Sequence, residues 1–295
     1  MKNLSFFLEE KESEQSIAIF MSGSGTNAEK VLEYVSKLNK KAWSPSVIVT
    51  DAPQKSKASK IAQKYNIPLV EHDIKQFYRE RGEKRVSLLT KIGCKIRHEW
   101  TDELRTMLLP FHVDFGILAG FIPLTNITAD FPCLNVHPGD LTLERKGKRL
   151  LVGLHTLPIE TAILHETNEL RSSVIIAQPY TKKGGEMDTG PILGISSPVK
   201  IDFMGFSICD LKAAANKRPS QRPVGGYRDI LENIAKHNQE RLKQQGDWIV
   251  FPRVVNDFAL NKFAIDEEKT LYYKQNNTWI AINTVVYSKN VVKTI

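Results

Sequence analysis

The 295-residue chain holds only three cysteines, Cys94, Cys133 and Cys209, and none stands at a spacing that suggests a zinc site or a disulfide framework. That scarcity fits a reduced, cytoplasmic setting. No run approaches the roughly 18 uninterrupted apolar residues that would cross a bilayer, so no membrane partner is expected. The opening stretch MKNLSFFLEEKESEQ places acids straight after a short apolar patch and makes a poor signal peptide. No internal repeat is visible. A full dinucleotide fingerprint is also missing: Gly23 to Ala28 contains Gly-x-Gly but lacks the later glycine, and Asp51 is not clearly a ribose-binding acid.

What is present is ordinary for a globular protein, with 41% hydrophobic and 25% charged residues. The net charge of +8 favours polyanions or phosphate-bearing small molecules. Because Lys and Arg are spread along the chain, a nucleic-acid partner is not expected. Oligomeric state leaves no mark in the sequence.

Short apolar runs alternate with helical patterns. SIAIFM (Ser16 to Met21), SPSVIVT (Ser44 to Thr50) and VDFGILAG (Val113 to Gly120) read as buried strands. Between the first two, Val31, Leu32, Tyr34, Val35 and Leu38 repeat at helical spacing. KASKIAQKYNI and TDELRTMLLPFH predict further helices; LNVH, SSVIIAQPY and PILGISSPVKI predict strands. This order implies an α/β fold, a mostly parallel twisted sheet flanked by helices, with ligands at the carboxyl ends of the strands. LKAAANKRPSQRPVGGYRD reads as a long connection and RDILENIAKHNQERLKQQ as an outer helix. The tail alternates around Asn276 and Asn277, which predicts a small C-terminal hairpin.

Three motifs could carry chemistry. SGSGTN (Ser22 to Asn27) lies between a strand and a helix. Its glycines permit a tight turn and the helix N-terminus favours phosphate, although Thr26 and Asn27 could simply cap that helix. Asn135 and His137 stand two apart in a strand, so an amide and an imidazole share one face. The amide could stabilise an oxyanion and the imidazole move a proton; equally, both could be structural. GGEMDTGPIL (Gly184 to Leu193) sets acids in a glycine-rich loop before a strand, either as part of a proton relay or as a solvated turn.

Together, IAIFMSGSGTN, FGILAGF, LNVHP, GLHT and DTGPIL resemble, in that order, the landmarks of the folate-dependent formyltransferase family, most of all its phosphoribosylglycinamide formyltransferase branch. The likeness covers roughly Ser16 to Ile201, and GDWIVFPRVVNDF extends it to about Asp266. It implies a catalytic domain over 16–266, preceded by an extension over 1–15 and followed by a hairpin extension over 267–295. It further implies formyl transfer from 10-formyltetrahydrofolate to the primary amine of glycinamide ribonucleotide, a step of purine biosynthesis and one-carbon metabolism, with no metal.

By that resemblance Asn135, His137 and Asp188 are the catalytic residues, and Gly25, Thr26 and Asn27 hold the substrate phosphate. Asp247 contacts the ribose. Ile122, Leu124, Gly185 and Glu186 receive the folate, and Arg79, or Arg81 in its place, meets a carboxylate. Formyltetrahydrofolate hydrolysis, formylation of an amino-sugar nucleotide, and a catalytically inactive folate- or nucleotide-binding protein stay open as alternatives.

The chain also departs from the family. GDLTLERKGKRLLVG is longer and basic, Pro123 stands where a basic residue is common, and SSVII lacks the usual histidine. Arg145, Lys146, Lys148 and Arg149 either decorate the surface or contact phosphate or the folate tail.

Overall fold

A computed structural model describes residues 3–180, 187–223, 225–289 and 291–295. In chain order the strands are β1 (Ser5–Phe6), β2 (Gln15–Phe20), β3 (Trp43–Thr50), β4 (Leu69–Glu71), β5 (Phe115–Leu118), β6 (Cys133–His137), β7 (Glu144–Arg145), β8 (Lys148–Arg149), β9 (Glu169–Leu170), β10 (Ser173–Ala177), β11 (Ile192–Ser196), β12 (Val199–Lys200), β13 (Phe263–Ile265), β14 (Leu271–Gln275), β15 (Thr278–Ile282), β16 (Val285–Tyr287) and β17 (Val292–Thr294). The helices are α1 (Thr26–Ser36), α2 (Ala58–Tyr65), α3 (Ile74–Glu80), α4 (Lys91–Leu108), α5 (Leu157–Leu164), α6 (Ile208–Asn216), α7 (Ile230–Leu242) and α8 (Trp248–Ala259). The chain divides into two compact units, Met1–Val136 with Ile175–Pro191 and Phe251–Asn283, and His137–Val174 with Ile192–Val250 and Thr284–Ile295.

In the first unit β2 lies between β3 and β5, β4 flanks β3, and β6 flanks β5, all in parallel. The central strands are apolar along their length because both faces are covered: Ile17, Ala18, Ile19 and Phe20 are fully buried. Helix α1 turns Ala28, Val31, Leu32 and Val35 inward, the i, i+3, i+4, i+7 stripe of an amphipathic helix. Helix α4 does the same with Ile96, Trp100, Leu104 and Leu108 and starts ten residues before the TDELRTMLLPFH pattern. Thr90 caps it by accepting from Gly93 N at 3.0 Å.

The same unit holds an antiparallel sheet in the order β1-β13-β14-β15. The tail hairpin is there as expected: β14 and β15 pair from Leu271↔Ile282 to Gln275↔Thr278. Asn276 and Asn277 both take positive φ, 48° and 61°, the turn geometry that matches strand twist and that asparagine tolerates.

In the second unit β11 and β16 are parallel and β16 and β17 antiparallel. Helices α5, α6 and α7 close an apolar cluster that includes Leu151, Ile159, Leu211 and Ile234. Here the reading of 211–229 as one long connection is corrected. Its first residues complete α6, capped by a reciprocal Ser207–Asp210 box.

The remaining loop is held by charge. Arg218 binds Asp229 twice, at 2.6 and 2.8 Å, and Glu160 at 2.5 Å, while Arg222 binds Glu232 at 2.5 Å. Glu160 and Glu232 are each 1% exposed, so these pairs satisfy carboxylates that burial would otherwise penalise. Among the described residues no helix is long and apolar enough to cross a membrane.

Trp100 is fully buried, lies parallel to the His72 ring at 5.1 Å and donates from Nε1 to His72 O at 3.1 Å. Trp100→Ala is expected to cost ~3–5 kcal/mol of stability, readable as a lowered denaturant midpoint. A change below about 1 kcal/mol would mean that α4 is not part of the core.

Candidate active site

The first unit presents a strand-to-helix turn of the kind that binds anions. Chain leaving β2 reaches α1 through Ser22–Gly25, and Gly25 takes the N-cap position at φ 68°. The left-handed conformation favours glycine, while a Cβ there would meet only the movable ends of the Ile61 and Met21 side chains. No side chain caps the helix. Thr26 and Asn27 lie within its first turn, where backbone N–H groups have no intrahelical acceptor and the helix dipole favours negative charge.

Beside this turn is a cleft of about 950 Å³, whose lining includes Ser22, Asp51, Lys55, Arg97, Ile122 and Leu124. Ser22 Oγ donates to Asp51 Oδ1 at 2.5 Å and accepts from Ile122 N at 2.9 Å. Burial raises the Asp51 carboxyl above its ordinary range, and the Ser22 hydrogen bond only partly opposes that shift. Arg97 is 4% exposed and donates to Leu124 O at 2.6 Å. The sequence reading placed Ile122 and Leu124 at a ligand surface but missed Lys55 and Arg97. Asp51 and Lys55 follow the carboxyl end of β3, a positional signal that could have found them; nothing in the pattern around Arg97 marks a buried cation.

Arg79 is exposed near the end of α3 and is not among the residues lining the cleft. Arg81 is engaged elsewhere, with Glu99 at 2.9 Å and Glu103 at 3.0 Å and its guanidinium 3.4 Å from the Phe77 ring centre. It staples the end of α3 to α4. Gly185 and Glu186 lie outside the described residues.

Asn135 and His137 share one face of β6, the strand whose buried Cys133 faces a full desolvation penalty that drives its thiol far up. The division between units falls just before His137. His137 is 3% exposed, and its Nε2 lies 2.6 Å from Leu151 O. A carbonyl only accepts, so Nε2 carries the hydrogen.

Asp188 belongs to the first unit, in the 3₁₀ turn Met187–Thr189 that precedes β11. That turn is set by close backbone approach: Met187 O accepts from Gln178 N at 3.1 Å, and a Cβ on Gly190 would stand 1.9 Å from Ile176 O.

Asp247 is buried in the second unit and accepts from Ser172 Oγ at 2.5 Å. Ser172 N in turn donates to Ser196 Oγ at 3.0 Å. Ser172 of SSVII is thus used inside this unit, and the Asp247 carboxylate already has a partner there. Among the described residues no group of three or more His, Cys, Asp or Glu side chains is placed to hold a metal ion.

No family model matches the sequence, and no curated protein matches it. Solved structures do match the fold, and the class they define is the formyltransferase fold. The phosphoribosylglycinamide formyltransferase of Coxiella burnetii superposes with a TM-score of 0.58 at 16% identity, over 93% of this chain and 100% of that one. Its counterpart from Anaplasma phagocytophilum gives 0.55 at 17% identity, over 92% and 99%. Glycinamide ribonucleotide transformylase 1 of Symbiobacterium toebii gives 0.53 at 18% identity, over 87% and 93%. At these identities the likeness establishes the fold.

A buried carboxyl with a raised pKa disfavours folding once it must ionise. That penalty is absent below the unfolded value near pH 4 and grows as pH rises through the higher folded value. Asp51→Asn keeps an acceptor for Ser22 and removes the charge. Its unfolding midpoint should match that of the parent at pH 3.5 and exceed it at pH 7; a constant difference across that range would show that Asp51 is not the titrating group.

Proposed function

We propose that the protein transfers a formyl group from 10-formyltetrahydrofolate to the primary amine of glycinamide ribonucleotide. A bond forms between the amine nitrogen and the formyl carbon, the bond from that carbon to the folate nitrogen breaks, and a proton passes from the amine to the departing nitrogen. Asn135 donates from its amide to the oxyanion of the tetrahedral intermediate, and His137 stabilises the same oxygen when protonated and moves the proton. Asp188 holds a water and tunes the imidazole.

The substrate phosphate sits on the N–H groups of Gly25, Thr26 and Asn27 at the uncapped start of α1. Asp247 is the acid assigned to the ribose. The pterin lies on Ile122, Leu124, Gly185 and Glu186, and Arg79 meets a carboxylate. Lys55 and Arg97 add positive charge to the cleft itself.

What supports this activity is one coincidence. A formyltransferase fold over nine-tenths of the chain places an amide and an imidazole two residues apart at the carboxyl end of a parallel strand, where α/β proteins put their chemistry.

Purified protein supplied with 10-formyltetrahydrofolate should release tetrahydrofolate only when glycinamide ribonucleotide is added. Release without an acceptor would make it a hydrolase, and no release with any amine would end the transferase reading. His137→Ala should lower kcat by ~10²–10⁴-fold, the range of a positioned acid–base group, in protein whose circular dichroism shows the fold intact. A near-normal kcat would remove His137 from the mechanism.

A further inference from the structure

The basic segment after His137 folds as a hairpin rather than an open loop. Glu144 pairs with Arg149 and Arg145 with Lys148, and Leu150 N donates to Leu143 O at 2.8 Å. The turn residues Lys146 and Gly147 both have positive φ, 55° and 69°, the tight turn suited to twisted strands. The cations at its tip are exposed, whereas the residue that follows its stem, Leu151, is 1% exposed. Leu151 O is the atom that accepts from His137 Nε2.

The turn that carries His137 toward this carbonyl is held by its own hydrogen bonds. Gly139 N donates to His137 O at 3.0 Å, Gly139 O accepts from Ser173 Oγ at 2.8 Å, and the same Oγ accepts from Leu141 N at 3.0 Å. The turn after His137 is therefore pinned from two sides. A Cβ on Gly139 would stand 2.7 Å from Leu151 O and 3.2 Å from His137 Nε2. Any side chain there must push the carbonyl away from the imidazole. Glycine in HPGD is what lets the hairpin stem reach the ring.

We infer that the hairpin is a positioning element for His137, acting through the main-chain carbonyl of Leu151, and that Gly139 is the residue that permits it. Holding the hydrogen on Nε2 makes Nδ1 the basic nitrogen of the neutral ring. The stem thereby selects which nitrogen exchanges protons during turnover and fixes the ring's rotation. The charges at the tip have no part in this. The inference rests on the formyl-transfer reading for its catalytic consequence, but the tautomer it specifies is a property of the protein alone.

Two-bond ¹H–¹⁵N correlation spectra of the full-length, ¹⁵N-histidine-labelled protein test it, with His137 assigned by the signal lost in His137→Gln. The wild type should show the Nε2–H tautomer, a result that needs no variant. Gly139→Ala should give a mixture of tautomers and lower kcat on the order of tenfold, with KM changed less than about twofold. Leu151→Ala keeps the carbonyl and should keep the tautomer. Lys146→Gln with Lys148→Gln should alter neither tautomer nor kcat.

A dominant Nδ1–H tautomer in the wild type would overturn the inference, as would a shifted tautomer in Gly139→Ala with unchanged kcat. If the wild type transfers formyl to no amine, the functional reading falls while the tautomer result still decides the role of Leu151.

Discussion

The Ser22 hydroxyl donates to Asp51 and accepts from the Ile122 N–H, and so joins the segments that leave β2, β3 and β5. Each of those strands is parallel to its neighbour, so each delivers its following loop to the same edge of the sheet. Without a cross-tie, three loops leaving adjacent strands would move independently, and ordering each on ligand binding would cost conformational entropy. One buried hydroxyl holds the turn into α1, the acid after β3 and the apolar shelf of Ile122 and Leu124. Arg97 fixes the far side of the shelf through Leu124 O. The cleft is thus formed by backbone groups already paired with buried side chains.

The polar groups at this edge are bought at some expense in stability. Asp51 is buried and resists ionisation, and Arg97 is a cation with little solvent. Such groups concentrate where a binding surface has to be prearranged. The second unit shows the contrasting solution. Arg218 and Arg222 face Glu160, Asp229 and Glu232 at short distances, and Lys236 stands 3.5 Å from Glu232, so three cations meet three carboxylates and brace the loop.

Much of the scaffold was legible because its signals are local. IAIF and FGIL are continuous apolar runs of the kind that strands covered on both faces carry, and Asn-Asn between alternating segments suits a turn with two positive φ values. Gly25 was legible because it stands in the turn between an apolar run and a helical pattern, where its φ of 68° is one that glycine takes freely. What stayed hidden depends on tertiary contact. The first half of α4 contains Gly93 and a buried Arg97, which blur its apolar stripe. Helix α6 was masked by the polar, proline-bearing segment that follows it. The Lys-Gly hairpin has no alternation to betray it, since both of its strands are charged. Ser172 gives no hint that it meets an acid 75 positions later.

Cys133 opens the strand that carries Asn135 and His137, and its sulfur is completely enclosed. As a thiolate is the reactive form, a group both shielded and held in its protonated state is inert while β6 stays paired with β5. Cys94 is half-buried and Cys209 exposed, so the other two sulfurs do not share this protection. The rate at which an alkylating reagent reaches Cys133 therefore measures how often β6 comes apart from its neighbours, which makes this sulfur a native clock for local opening at the strand where the proposed chemistry takes place.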